Sequence, residues 1–378
     1  MKNFCSGRLI VSSTDKSADL LYAGRFNAPD DFVYFETNET QAIVVTSLEF
    51  ARAMAEAKDG IRVINRYDII NALPESERSG VGFYVALSRY AGIDHWQVPG
   101  DFPLIYADQL RNAGIQVECI NGDFFPQRAV KNEWELQEIR KSMRMTENAM
   151  MLVRSMIADA VVNSHGILEL QGKVLTCDDI RMEVECYFKR HSFTARQTII
   201  ACGSHGAAPH NIGTGPVYAN EPVVADIFPR SDISGYWGDM TRTFCKGTAK
   251  PIVRKAFDAV KLASDNALAC LKAGVPGILI HQIAAKTMEE AGFSTGLDSD
   301  GKPCGFIHGL GHGVGLEIHE QPRLAVGNTQ PLPENCVVSV EPGLYYHEWG
   351  GIRLEDLVIV KNNGYENLCT MPKELEVP

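Results

Sequence analysis

A chain of 378 residues with 45% hydrophobic and 22% charged residues has the balance of a folded globular protein and excludes a disordered or membrane-embedded one; its length predicts roughly two or three domains. The formal charge of -11, from 47 acidic and 36 basic residues without a lysine or arginine run, excludes the phosphate-tracking stripe of a nucleic-acid binder. Lys2 and Arg8 flank only a short apolar stretch, no window approaches a membrane span, and ten cysteines occur without a C-x-x-C pair, which predicts a cytoplasmic protein with reduced, mostly buried thiols and no membrane partner.

Up to about Arg128 short apolar runs alternate with helical stretches, an α/β pattern. Gln41 to Val45 reads as a strand, and Thr46 with Glu49 offers a capping box for an amphipathic helix containing Phe50, Met54 and Ala57. Leu104 to Ala113 reads as a helix and Ile115 to Ile120 as a strand. Turn residues at Gly122, Asp123, Pro126, Gln127 and Arg128 precede a change of texture, so the domains are predicted as 1–128 and 129–378.

Asn132 with Glu135 caps a long helix whose stripe, Leu136, Ile139, Met143, Met150, Val153 and Ile157, recurs at helical spacing and reads as core packing. A second helix starts at the Thr176 and Asp179 capping box. Strand-like runs follow at Gln197 to Cys202, Pro222 to Phe228 and Tyr236 to Phe244. The order then repeats: helices from about Pro251 to the Gly274 stop and from about Ile278 to Ala291, then strands through Ile307, Val337 to Val340 and Ile352 to Val360. Helix, helix, strands thus occurs twice, without residue-level identity between the halves.

Five side chains in this second region have the chemistry of metal ligands: Asp226, Asp239, His312, Glu341 and Glu355. Four carboxylates and one imidazole suit hard or borderline divalent ions such as manganese, cobalt or iron better than a structural zinc. A turn over Ser231 to Gly235 would set Asp226 and Asp239 nearly opposite each other on flanking strands, although two solvated carboxylates beside a turn would read the same way. Around His312, glycines alternate with His308 and His319, permitting close backbone approach; a glycine and histidine cluster is also what a flexible loop contains. Glu341 and Glu355 each end an apolar run, where a carboxylate must be paired or metal-bound, and Arg353 alone could satisfy one of them. The chain contains no H-E-x-x-H, P-loop, G-x-S-x-G or G-x-G-x-x-G motif.

In order, Asp226, Asp239 in Gly-Asp-Met-Thr-Arg-Thr-Phe, His312, Glu341 in Glu-Pro-Gly-Leu-Tyr and Glu355 in Ile-Arg-Leu-Glu-Asp resemble the pita-bread metallopeptidases, a family holding proline dipeptidase, aminopeptidase P, methionine aminopeptidase and creatinase. The match covers about Asn132 to Val360. It implies an α/β (α+β) chain: a creatinase-type amino-terminal α/β domain, then a pita-bread catalytic domain with pseudo-twofold helix-helix-strand halves around a curved antiparallel sheet. The resemblance further implies that the five residues hold two divalent ions with a hydroxide between them, manganese first and cobalt, iron or zinc as alternatives. Four carboxylates and two divalent cations cancel in charge, so bound metal should also stabilise the fold.

By the same resemblance the hydroxide attacks the peptide carbonyl and Glu341 handles its proton. His210, in Ala-Pro-His-Asn, with His308 and His319, positions substrate or stabilises the oxyanion, and Thr241 and Arg353 hold ligand carboxylates in place. One departure is a hairpin between the aspartates longer by about two residues than the family's commoner pattern, a length that keeps both strands facing the same way. Creatinase lacks the ligands and methionine aminopeptidases usually lack the upstream domain. The implied activity is hydrolysis of the bond before proline in a peptide with proline second, by a homodimer. Xaa-Pro dipeptidase and Xaa-Pro aminopeptidase both stay open, the short upstream domain leaning to the former, and a metal-binding interaction protein without turnover is the alternative of a different class.

Overall fold

The computed structural model describes residues 5–75 and 82–378; residues 1–4, part of the stretch read for a targeting signal, lie outside the described residues. Two compact units are present, one ending at Pro126 and the other beginning at Gln127.

In the first unit six strands form one sheet, in the order Arg62–Asn65, Gln41–Val45, Phe32–Glu36, Ser6–Ser12, His95–Val98, Gln116–Cys119. Alternation with period two buries both faces: Leu9, Val11, Val33, Phe35 and Val44 enter one core, and Ile10, Tyr34, Ile43 and Val45 the other. The Gln41–Val45 strand and the Leu104–Asn112 helix lie where the sequence predicts. The capping box at Thr46 does not form. Thr46 stands at the N-cap of the helix Ser47–Glu56 without a side-chain cap bond, while the Glu49 carboxylate is taken by Arg52 at 3.1 Å. Met54 of the expected apolar stripe is 62% exposed, and Ala53 makes the buried contact instead.

The second unit repeats two helices followed by antiparallel strands. The helices Glu133–Asp159 and Cys177–Arg190 both begin with the predicted capping boxes, in which Asn132 and Thr176 exchange bonds with Glu135 and Asp179. Every member of the long helix's apolar stripe is buried. Their sheet runs Ile199–Cys202, Val223–Ile227, Met240–Lys246, with Glu376–Val377 added in parallel. The second half pairs the helices Pro251–Cys270 and Gly277–Glu290 with a five-stranded sheet in the order Glu320–Leu324, Gly311–Gly313, Val337–Val340, Asp356–Lys361, Gly364–Asn367. Val253, Ala256, Val260, Ala263 and Ala267, at helical spacing, pack in one core with Val338, Val340, Val358 and Val360.

Three strand expectations change. The run Tyr236 to Phe244 is a strand only from Met240 onward, to Lys246, which leaves Asp239 just ahead of it. Ile307 is not in a strand, because Gly305, at φ +90°, turns the chain there. The run Ile352 to Val360 is two strands, Gly350–Arg353 and Asp356–Lys361, pairing different partners on either side of Leu354 and Glu355. Six of the ten cysteines are buried and all ten are free thiols. Among the described residues no helix is long and apolar enough to cross a membrane.

Candidate active site

Asp226 lies in the strand Val223–Ile227 with Thr241 as its cross-strand partner. Asp239 stands one position before the strand Met240–Lys246, two before Thr241, so the aspartates are not directly opposite each other on flanking strands. The turn falls where expected: Ser231 accepts the Gly235 N–H at 3.0 Å, and its hydroxyl accepts those of Ile233 and Ser234. Gly238 fits beneath the long helix only because a Cβ there would collide with Thr146 and the Ser142 main chain. The next residue, Asp239, donates its N–H to Met143 Sδ at 3.2 Å, so one methionine of the packing stripe also orients a candidate ligand.

His312 is the centre of the short strand Gly311–Gly313, whose glycines let neighbouring chains approach closely; a Cβ at either would strike the Ser339 or Gln321 carbonyl. Its N–H donates to Ser339 Oγ at 3.1 Å, and Nδ1 lies 3.2 Å from the Gly313 carbonyl. With Nδ1–H given to that carbonyl, the Nε2 lone pair faces Glu341 Oε1 at 3.1 Å and Asp239 Oδ2 at 3.7 Å, a contact that needs a proton or a cation between the atoms. Glu341 follows the strand Val337–Val340, its N–H fixed on the Leu310 carbonyl at 2.8 Å. Glu355 occupies the break between two strands, donates its N–H to the Thr241 carbonyl at 3.0 Å, and accepts Thr241 Oγ1 at 2.8 Å. Ligand atoms of Asp239, His312 and Glu355 all lie within 4.8 Å of one another, and all three residues are buried.

Asp226 and Glu341 border that trio. Arg353, itself buried, donates to Asp226 Oδ2 at 2.6 Å, to the Tyr345 hydroxyl at 2.9 Å and to Thr241 Oγ1 at 3.3 Å. Burial first, and then the other carboxylates, push Asp239 and Glu355 well above the usual carboxylic acid range. Burial acts in the same sense on Glu341, but the His312 contact overrides it and the net direction is down. Against four carboxylates the cluster offers one permanent cation, Arg353. Asp226 Oδ1 is buried with no hydrogen-bond partner, although its sister oxygen is taken. A negative excess, an orphaned carboxylate oxygen and an imidazole nitrogen facing two carboxylates together fit divalent cations.

The three other histidines gather at the edge of this cluster. His308 Nδ1 contacts the Gly309 carbonyl at 2.7 Å and Nε2 the Tyr345 hydroxyl at 2.9 Å. Because Arg353 donates to that hydroxyl, the phenol proton points to His308 Nε2 and the His308 proton sits on Nδ1. His319 stacks edge-on against His312 with centroids 4.4 Å apart, and burial followed by His312 lowers its pKa to about 4. His210 is exposed in the turn after the short helix Gly203–Ala207, near enough that its charge acts on both His308 and His319.

Four residues with a part in this geometry escape sequence reading. Ser339 bonds both His312 and Glu341, and its signal was available: it lies two positions before Glu341, on the same face of an otherwise apolar strand. Tyr345 links Arg353 to His308 and ends the Glu-Pro-Gly-Leu-Tyr motif. Met143 looks like core, and Arg323, whose charge acts on His319, looks like an ordinary strand residue.

The chain is similar to the Xaa-Pro dipeptidase of Pyrococcus horikoshii, with 26% identity over 344 residues, 90% of this chain and 86% of the relative. It is 32% identical to an uncharacterized peptidase of Methanocaldococcus jannaschii over 268 residues, 68% of this chain and 69% of the relative. The fold matches the crystal structure of an X-Pro aminopeptidase from Thermotoga maritima with a TM-score of 0.80 and 24% identity, over 99% of this chain and 98% of that one. It matches the prolidase of Pyrococcus horikoshii equally, with a TM-score of 0.80, 24% identity and coverage of 98% and 95%. The pattern of metallopeptidase family M24 covers residues 137–362, the stretch that supplies every side chain of the cluster, and the chain belongs to that family of metal-dependent peptidases.

Proposed function

We propose that this metallopeptidase is an Xaa-Pro dipeptidase, cleaving the peptide bond before a carboxy-terminal proline. The observation that carries the reading is the convergence of ligand atoms of Asp239, His312 and Glu355 within 4.8 Å, with Glu341 beside His312 and Asp226 held by Arg353. Proline specificity is supported by similarity over 90% of the chain to a protein named Xaa-Pro dipeptidase. Asp226, Asp239, His312, Glu341 and Glu355 would hold two divalent cations, manganese first, since carboxylate donors suit it. When bound, such ions supply Lewis-acid polarisation of the scissile carbonyl and lower the pKa of water.

The chain's own groups do the rest. Glu341, held ionised by its surroundings, accepts the proton of the attacking water and passes it to the leaving nitrogen. His319, its pKa lowered, faces the substrate as a neutral donor with His210 beside it, whereas His308, occupied at both ring nitrogens, sets the Tyr345 hydroxyl. Thr241 and Arg353 fix Glu355 and Asp226. A dipeptide must also have its terminal carboxylate recognised, and Arg323, whose charge acts on His319, would supply the guanidinium for it.

Turnover of manganese-loaded protein on an Xaa-Pro dipeptide, beside an Xaa-Pro-Xaa tripeptide and a metal-stripped control, tests this. Cleavage of the dipeptide alone is expected; cleavage of the tripeptide would make the protein an Xaa-Pro aminopeptidase. Alanine at His210 should lower kcat with metal content intact. We read the protein as a cytoplasmic homodimer: its ten free thiols support a reducing compartment, and elution of the purified chain at twice its monomer mass would support the dimer.

A further inference from the structure

The break that carries Glu355 raises a question of main-chain bonding. Between the strands Gly350–Arg353 and Asp356–Lys361 the chain leaves one ladder and has not joined the next, so Glu355 has no sheet partner to hold its peptide groups. Its N–H is taken by the Thr241 carbonyl at 3.0 Å. Its carbonyl is taken by a side chain, Arg242 Nη1, which also donates to the Thr241 carbonyl at 3.0 Å. The same guanidinium's Nη2 donates to Asp356 Oδ1 and to the Met371 carbonyl, both at 2.9 Å.

Arg242 is 1% exposed and touches none of the cluster's carboxylate oxygens. It is anchored at its far end: Asp356 also accepts Lys373 Nζ at 2.7 Å and Asn367 Nδ2 at 3.0 Å, and Lys373 reaches Ser264 Oγ at 2.9 Å. A rigid planar fork thus spans the strand behind Asp239, the peptide of Glu355 and the segment after residue 367. A lysine ammonium is a compact point charge without the planar fork that serves the Nη1 and Nη2 acceptors together.

We propose that Arg242 is a positioning residue for metal binding, replacing the missing ladder bond at the Glu355 carbonyl and so fixing where that carboxylate points. The proposal rests on the reading of Glu355 as a metal ligand. Lys373, which holds only the outer side of Asp356, contributes to stability and not to the position of Glu355.

Manganese titration calorimetry of the full chain, with melting temperatures of the metal-free forms, tests the proposal on Arg242→Lys, Arg242→Met and Lys373→Met. Arg242→Lys should weaken manganese binding by about 10-fold and Arg242→Met by about 100-fold, at a temperature where both are folded. Lys373→Met should melt earlier and keep the wild-type isotherm. A wild-type isotherm for Arg242→Lys, or a loss in Lys373→Met as large as in Arg242→Lys, would overturn the proposal and leave Arg242 as part of the packing. If the Arg242 variants do not fold, Asp356→Asn loosens the anchor with little change of shape; weaker manganese binding supports the proposal and an unchanged isotherm refutes it. Wild-type protein that binds no manganese would overturn the ligand assignment itself, and this proposal with it.

Discussion

Glu355 and Asp356 are adjacent and both buried, yet their carboxyls are driven in opposite directions. Burial, then Glu341 and Asp226, raises Glu355 well above the usual range. Burial also acts to raise Asp356, but Arg242 and Lys373 override it and the net direction is down. Glu320 repeats the second case, with Lys131 at 2.6 Å and Arg128 at 2.7 Å bringing a buried glutamate below its ordinary value. Burial is common to all three, so the difference is the partner. The chain completes the charge of Asp356 and Glu320 with its own cations, and it leaves the Asp226, Asp239, Glu341 and Glu355 cluster negative, the condition under which a site takes cations from solution.

The sharpest way to break this contrast is to neutralise one member of the crowded cluster. Asp239→Asn should reduce kcat/KM by at least about 10²-fold, because a proposed ligand is lost, while the metal-free protein melts no earlier than wild type, because repulsion is relieved. Earlier melting of the metal-free variant would show that the carboxylates are not crowded.

The opposite result is expected where the charge is complete. Glu320→Ala leaves the buried Lys131 ammonium without its carboxylate and should cost about 3–5 kcal/mol in denaturant unfolding. A loss within the range of a surface substitution would remove the distinction. Chelation comes next: stripping metal from a sample held at 100 times its dissociation constant should cost about 2.7 kcal/mol, seen as a lower melting temperature, with little change in Asp239→Asn.

The smallest effect is in pH. Glu320 has a folded pKa below the 4.5 of an ordinary glutamate, so its stabilisation is fully present above that value and is lost as the pH falls toward the folded one. Wild-type protein should therefore lose melting temperature below about pH 4.5 more steeply than Glu320→Gln. Parallel curves would count against the clamp.

Elements whose signals are local were legible in the chain. The capping boxes at Asn132 and Thr176 form because each needs only four consecutive residues, and the buried helix stripe needs only its own period. The third box failed through a competitor that its four-residue motif does not contain, the Arg52 guanidinium three positions beyond Glu49. Within the site, Arg353 and Thr241 stand beside the carboxylates that a reader would pair them with. Arg242 could not be read this way. Its acceptors at Thr241, Glu355, Asp356 and Met371 come together only through strand register and a chain break that looks, in sequence, like continuous strand.

The Arg353 to Asp226 bond joins residues 127 positions apart, and the Lys131 to Glu320 bond joins residues 189 apart. A chain emerging from its amino terminus can pair the strands around Asp226 and Asp239 long before Arg353 and Glu355 exist. Closing such distant contacts is slow, since loop entropy is spent before the contacts form. The centre would therefore be completed late in folding, and ions that reach a chain grown only past Asp239 would meet two of the five proposed ligands. Metal loading would then follow the docking of the last strands.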